Sequence, residues 1–276
     1  MMWDRQISLK SEKELAIMRM AGQINAEALA AAYAVIRPGA TTADLNAAAE
    51  EVLRKYGVKS PFLNYPGPYP YPASTNVSVN EELVHGIPDP KRKLKAGDIV
   101  SVDCGTVYEG YVGDSAFTAP VGEISAEARK VMEVTERSLY LGIAKMRPGN
   151  RVGDISAAVQ EYVESQGLHV VREYTGHGVG RAMHEGPQVP NYGVAGRGML
   201  LRAGMTIALE PMVLVGSPAT RVKADQWTVA SANGKLTAHF EHTVAITENG
   251  PRILTLLADG TAPVGALRDL KELPAA

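Results

Sequence analysis

A single cysteine, Cys104, in 276 residues excludes an intrachain disulfide and any Cys-based zinc finger; a reducing cytoplasm is the compartment it points to. Neither sign of charge is in excess. The formal net charge is −2, so neither a nucleic-acid surface nor a solvating acidic tail is expected. No long apolar run is present either. The most apolar helical stretch, Ile24 to Ile36, is broken by Asn25 and Glu27 and is too short to span a bilayer. The polar start Met1-Met2-Trp3-Asp4-Arg5-Gln6 lacks the apolar region of a secretory signal. No apolar heptad is sustained, which removes a coiled-coil partner and leaves a monomer as the expectation. With 45% apolar residues, the chain reads as an ordinary globular protein with one large domain or two small ones.

The chain partly repeats itself. Ile36-Arg37-Pro38-Gly39-Ala40-Thr41-Thr42-Ala43-Asp44-Leu45 returns as Met146-Arg147-Pro148-Gly149-Asn150-Arg151-Val152-Gly153-Asp154-Ile155, at an offset of 110 residues. Each copy follows a helical pattern, Glu12 to Val35 and Glu127 to Lys145. Pro ends that helix and Gly tolerates the left-handed turn after it. A second helix then starts at Thr42 or Val152 and ends near Gly57 or Gly167. A second echo follows, in which Leu94-Lys95-Ala96-Gly97-Asp98-Ile99-Val100-Ser101-Val102-Asp103 resembles Leu201-Arg202-Ala203-Gly204-Met205-Thr206-Ile207-Ala208-Leu209-Glu210. Both are Gly turns feeding an apolar β run that closes on a carboxylate. This predicts one pseudo-symmetric α+β domain over residues 1–257, with halves of about 12–120 and 126–250 and helices covering a central sheet. Residues 258–276 are expected to form a tail with a short helical turn from Leu267 to Leu273.

Five charged or imidazole side chains sit in apolar or glycine-rich segments that give them no structural reason to be there: Asp103, Asp114, His177, Glu210 and Glu241. Acids are almost never buried unless paired or coordinating an ion. Four carboxylates and one imidazole suit hard or borderline divalent cations, and suit two better than one. If Glu109-Gly110 is a two-residue hairpin loop, residue 103 faces residue 116, and Asp114 lies diagonal to Asp103 on the same face. The glycines around His177 are expected to let backbone approach a ligand. His239 and His169 have no comparable context and are read as surface or edge residues.

With these motifs in order, the chain resembles the type I methionine aminopeptidases of the creatinase/prolidase "pita-bread" fold, from about Ile7 to Leu257. The resemblance is carried by Asn80-Glu81-Glu82-Leu83-Val84-His85-Gly86-Ile87-Pro88, Asp98 to Asp103, Gly113-Asp114, Gly176 to Gly180, Met183-His184-Glu185, Leu209-Glu210-Pro211-Met212 and Phe240-Glu241-His242-Thr243. It implies a central antiparallel sheet covered by two helix pairs, forming a single catalytic domain. It also implies two divalent ions (Mn, Fe, Co or Zn). Asp103, Asp114 and Glu241 would hold one, and Asp114, Glu241, His177 and Glu210 the other, around a shared, activated water. Glu210 would shuttle the proton, His184 would bind the scissile carbonyl and His85 would contact the amide nitrogen side. Phe62, Tyr65, Tyr71, Met183 and Trp227 would wall a methionine slot. The implied substrate is the N-terminal methionine of nascent polypeptides with a small second residue, with transient ribosome contact. The chain departs from the common pattern at Asn76 and Val84, where cysteine is frequent, and at Met183, where an aromatic is frequent. It departs again in a longer, proline-rich Tyr65 to Pro72 stretch.

Two other readings compete. An Xaa-Pro aminopeptidase or prolidase would share fold and ligands but usually adds an N-terminal domain, and here about ten residues precede the first helix. A metal-free binding protein on the same fold would be expected to lose ligands, and all five are present.

Overall fold

The duplicated sequence becomes a duplicated order of elements in the computed structural model, which describes residues 7–264. The first half runs α1 (Glu12–Ala34), α2 (Thr42–Lys55), β1 (Thr75–Val79), β2 (Glu82–Val84), β3 (Ile99–Tyr108) and β4 (Tyr111–Pro120). The second begins with α3 (Ala126–Ala144) and α4 (Val152–Ser165), followed by β5 (His169–Val170), β6 (Thr175–Gly178), β7 (Glu185–Pro190) and β8 (Thr206–Leu209). It closes with β9 (Met212–Leu214), β10 (Thr220–Val222), β11 (Val229–Ser231), β12 (Thr237–His239), β13 (Glu241–Thr247) and β14 (Gly250–Ile253). The turn expected from Leu267 to Leu273 lies outside the described residues.

The repeat has a mechanical content. The aspartate kept in both copies takes the backbone N–H that opens the second helix: Thr41 N–H donates to Asp44 at 2.8 Å, and Arg151 N–H to Asp154 at 2.7 Å. Each bond satisfies a donor that the helix itself leaves unpaired. Gly39 and Gly149 turn with φ of +90° and +93°, a region costly for any residue with a Cβ. Gly39 N–H then donates to Leu94 O and Gly149 N–H to Leu201 O, so the first echo is tied to the second in each half.

Eight strands from both halves join in one antiparallel sheet, ordered β1-β3-β4-β13-β8-β6-β7 with β14 beside β13, and the rest form two small sheets, β10-β11-β2 and β12-β9-β5. The middle seam of the large sheet is short. β4 and β13 pair only at Ala116 with Glu241 and Ser115 with His242. A pseudo-two-fold at that seam equates β4 with β13, β3 with β8 and β1 with β6. Alternation along β3 sends Val100, Val102 and Cys104 into the core with Ile24, Leu29, Phe117, Ile143, Ile207 and Leu209, and Asp103 to the opposite face. Asn25, which interrupts the apolar pattern of α1, is fully buried. Its Nδ2 donates to Cys104 O, and its Oδ1 accepts from the Ser115 hydroxyl. The helix is thereby fastened to the two strands behind Asp103 and Asp114.

Candidate metal centre and its pocket

On the face away from the helices, the pleat lays the acids out in two adjacent rows. Asp103 pairs with Ala116 and Ala116 with Glu241. One step past the His242–Leu209 pair, residue 210 continues that row. In the next row Gly105 pairs with Asp114, and Ala208 with His177. Small residues at 105, 116 and 208 leave the space above the sheet to the charged side chains. The hairpin at Glu109-Gly110 and the diagonal placing of Asp103 and Asp114 match the expected register.

All twelve predicted site residues line one cavity of about 150 Å³, and Asn76 joins them. Asp114, His177 and Glu241 approach most tightly, with one ligand atom of each lying within 4.8 Å of the others. His177 Nδ1–H donates to Gly178 O at 2.9 Å, which leaves the Nε2 lone pair pointing inward. That lone pair lies 3.7 Å from Asp114 Oδ2 and 3.5 Å from Glu210 Oε1. Burial, and then the neighbouring His184, push the His177 pKa down to about 3, so the ring is neutral and faces carboxylate oxygens without a proton to share. Asp103 Oδ2 accepts from Asn76 Nδ2 at 2.9 Å. Asp103 Oδ1 and Asp114 Oδ1 are buried with no hydrogen-bond partner.

Burial raises the Asp103 pKa to about 7 against the Asn76 hydrogen bond. It raises Asp114, Glu210 and Glu241 well above the carboxylate range, with their mutual charges adding to it. Orphaned acceptors, an inward imidazole lone pair and four crowded acids are the donor set that a divalent cation satisfies.

The glycines about His177 admit close approach of backbone. A Cβ at Gly178 would lie 2.0 Å from Gly186 O, and one at Gly176 would lie 2.7 Å from Ala208 O. They let β6 and its neighbours close around the imidazole.

Aromatic rings build the wall. Tyr71 meets Trp227 edge-on at 5.2 Å, and Trp227 Nε1–H donates to Tyr69 O. Gly67 must be glycine here, since a Cβ would lie 2.3 Å from the Trp227 ring. The proline-rich stretch is thus buckled onto Trp227. His85, at φ +60°, stands edge-on to Tyr174 and Trp227. His184 Nδ1 lies 2.8 Å from the Tyr65 hydroxyl, and its ring centre is 4.4 Å from that of His177. Burial takes both His85 and His184 down to about 4, with His184 adding to the effect on His85.

One expectation holds only in part: His239 lies on β12, an edge strand of the small sheet β12-β9-β5, but its side chain is not at the surface, being 2% exposed with Nε2 3.7 Å from Glu210 Oε2. Its signal was its distance from Glu241, since residues two apart on an extended chain share a face. His169, on edge strand β5, is partly buried as expected.

The model of metallopeptidase family M24 matches residues 16–248. The methionine aminopeptidase of Clostridium acetobutylicum is 50% identical over 250 residues, 91% of this chain and 99% of that one. The crystal structure of methionine aminopeptidase from Thermotoga maritima superposes with a TM-score of 0.88 at 48% identity, covering 91% and 99% of the two chains. The prolidase of Pyrococcus horikoshii shares the architecture less closely, with a TM-score of 0.70 at 25% identity over 90% of this chain and 63% of that one. The sheet, the helix pairs and these likenesses are those of the pita-bread fold, and the chain belongs to the methionine aminopeptidases of metallopeptidase family M24.

Proposed function

We propose that this protein hydrolyses the N-terminal methionine from peptides and nascent chains whose second residue is small. The observation that carries the reading is the convergence of four carboxylates, Asp114 and Glu241 buried and Asp103 and Glu210 partly buried, with an inward imidazole in one aromatic-lined pocket. Asp103, Asp114 and Glu241 would hold one divalent ion, and Asp114, Glu241, His177 and Glu210 the other, with Asp114 and Glu241 shared. When bound, such ions supply a water of lowered pKa as nucleophile and a seat for the free α-amine, which confines cleavage to the chain end.

The remaining steps belong to side chains. Glu210 carries the proton from the attacking water to the departing amine. In this reading the Tyr65 hydroxyl, 2.8 Å from His184 Nδ1, donates to it, and the neutral ring then presents Nε2–H to the scissile carbonyl as negative charge develops there. His85 lies on the amide nitrogen side. Phe62, Tyr65, Tyr71, Met183 and Trp227 wall a slot for an unbranched thioether. Mn, Fe, Co and Zn all suit the donor set. The protein acts as a monomer in the cytoplasm, meeting its substrates at or near the ribosome.

The test is to load the protein with Mn²⁺, Fe²⁺ or Co²⁺ and measure amino acid released from Met-Ala-Ser, Met-Leu-Ser and Leu-Pro-Ser. Methionine from Met-Ala-Ser alone is expected. Release from Leu-Pro-Ser would move the assignment to the Xaa-Pro class, and silence on all three would favour a binding protein.

A further inference from the structure

The pseudo-two-fold gives the site residues counterparts in the opposite half, and one of these has a side chain with no role so far. Asp103 corresponds to Glu210, and the strand register then equates Gly105 with Met212. Asp114 pairs with Gly105 and His239 with Met212, so His239 is the counterpart of Asp114. The same device holds both. Asp114 N–H donates to Thr243 Oγ1 at 3.0 Å, and that hydroxyl donates to Asp114 O at 2.8 Å. His239 N–H donates to Thr118 Oγ1 at 2.9 Å, and that hydroxyl donates to His239 O at 2.8 Å. Thr118 and Thr243 are themselves counterparts, since their partners Ser101 and Ala208 occupy equivalent places in β3 and β8.

Backbone clamped on both sides fixes where the side chain points. His239 Nε2 is buried, has no hydrogen-bond partner and lies 3.7 Å from Glu210 Oε2. The other Glu210 oxygen lies 3.5 Å from His177 Nε2. Glu210 therefore stands between two imidazoles, one on each oxygen. His177 turns a lone pair toward it; an imidazole whose Nε2 faces a carboxylate from a fixed backbone is built to donate.

We propose that His239 is a positioning residue for Glu210: its Nε2–H closes on Oε2, fixes the rotation of the carboxylate and leaves Oε1 to the metal centre. A ligand carboxylate held by a second donor binds metal more tightly and keeps one orientation for proton transfer. The inference rests on the metal-centre reading above.

The test compares His239→Met, which fills the space without a donor, with His239→Gln, which restores an N–H. Calorimetric titration of metal-free protein with Mn²⁺ reads affinity, and Met-Ala-Ser turnover separates kcat from KM. His239→Met should lose about 10- to 100-fold in Mn²⁺ affinity and lose kcat while KM stays within about two-fold. His239→Gln should recover most of both. Wild-type affinity and kcat in His239→Met would overturn the proposal, as would a His239→Gln variant that falls equally far.

A measurement on the unaltered protein stands beside these. With diamagnetic Zn²⁺ bound, the long-range ¹H–¹⁵N histidine spectrum should place the His239 proton on Nε2, and a proton on Nδ1 would overturn the proposal. Wild-type protein that takes up no Mn²⁺ removes the metal-centre reading itself. Mn²⁺ uptake with an indifferent His239→Met removes this inference alone.

Discussion

Asp103, a proposed ligand, has neighbours that would set its strength. Its Oδ2 is held by Asn76, and its Oδ1 has no partner. Truncating the neighbour, as in Asn76→Ala, frees the carboxylate to rotate and leaves it without its donor. We expect Mn²⁺ affinity to fall about 10-fold or more with the thermal midpoint of metal-free protein little changed; an unchanged calorimetric isotherm would show that Asn76 only fills space. Asn76 stood out in the sequence as a departure from the family pattern, yet its link to Asp103 depends on strand register, which a residue list does not contain. The five residues proposed as ligands were legible as a set because a charge inside an apolar run is conspicuous. His239 was not, because His239-Phe240-Glu241 reads as mixed polarity until the strand's period is imposed on it.

Among the elements, the close approaches decide. Gly178→Ala would set a Cβ 2.0 Å from the carbonyl oxygen of Gly186, backbone that cannot swing aside. We expect a loss of about 3 kcal/mol or more, read as a fall in the urea midpoint, and a variant as stable as the parent would show that β6 and β7 can part there. Asn25→Leu tests the other face. It leaves Cys104 O and the Ser115 hydroxyl without their partner, at a cost of about 2 kcal/mol. A near-neutral result would mean that those groups find other partners. Helix positions were legible from the apolar spacing and the Arg-Pro-Gly ends. The glycines about His177 were legible as close approaches but not as to what comes close, because only the folded chain brings Gly186 and Ala208 alongside.

Taken whole, the protein crowds its acids at a narrow joint. Asp103 and Asp114 come from one half and His177, Glu210 and Glu241 from the other, across a seam of two residue pairs. Without metal, stability depends on pH in two opposed ways. Four histidines, His85, His177, His239 and His242, are held by burial to about 3 or 4; they are neutral when folded and take protons when unfolded, so they favour the fold as pH rises toward 6.5. The carboxylates, raised by burial to about 7 for Asp103 and well above the carboxylate range for the others, keep protons in the folded state that the unfolded chain has lost, so they weaken the fold as pH rises. Above pH 6.5 only the second effect remains. The melting temperature of metal-free protein should therefore fall from pH 6.5 to 8, and saturating Mn²⁺ should reverse the fall. A flat metal-free profile would contradict the burial of these acids. The duplication was legible at this scale from two echoes in order; the shortness of the seam was not, since pairing across it involves residues more than a hundred apart.

The pseudo-two-fold relates the backbones of the halves but not the groups they carry. Asp114 answers to His239, Glu241 to Ala116, and among the acids of the pocket only Asp103 and Glu210 answer acid to acid. A peptide has a direction, from amine to carboxyl, and a truly two-fold cleft has none; it would welcome a chain either way round. By letting the twin positions drift apart in chemistry while their hydrogen-bonded frames stayed alike, this molecule turned a symmetric cradle into one with a head and a foot. That asymmetry is what allows it to tell the beginning of a polypeptide from its end.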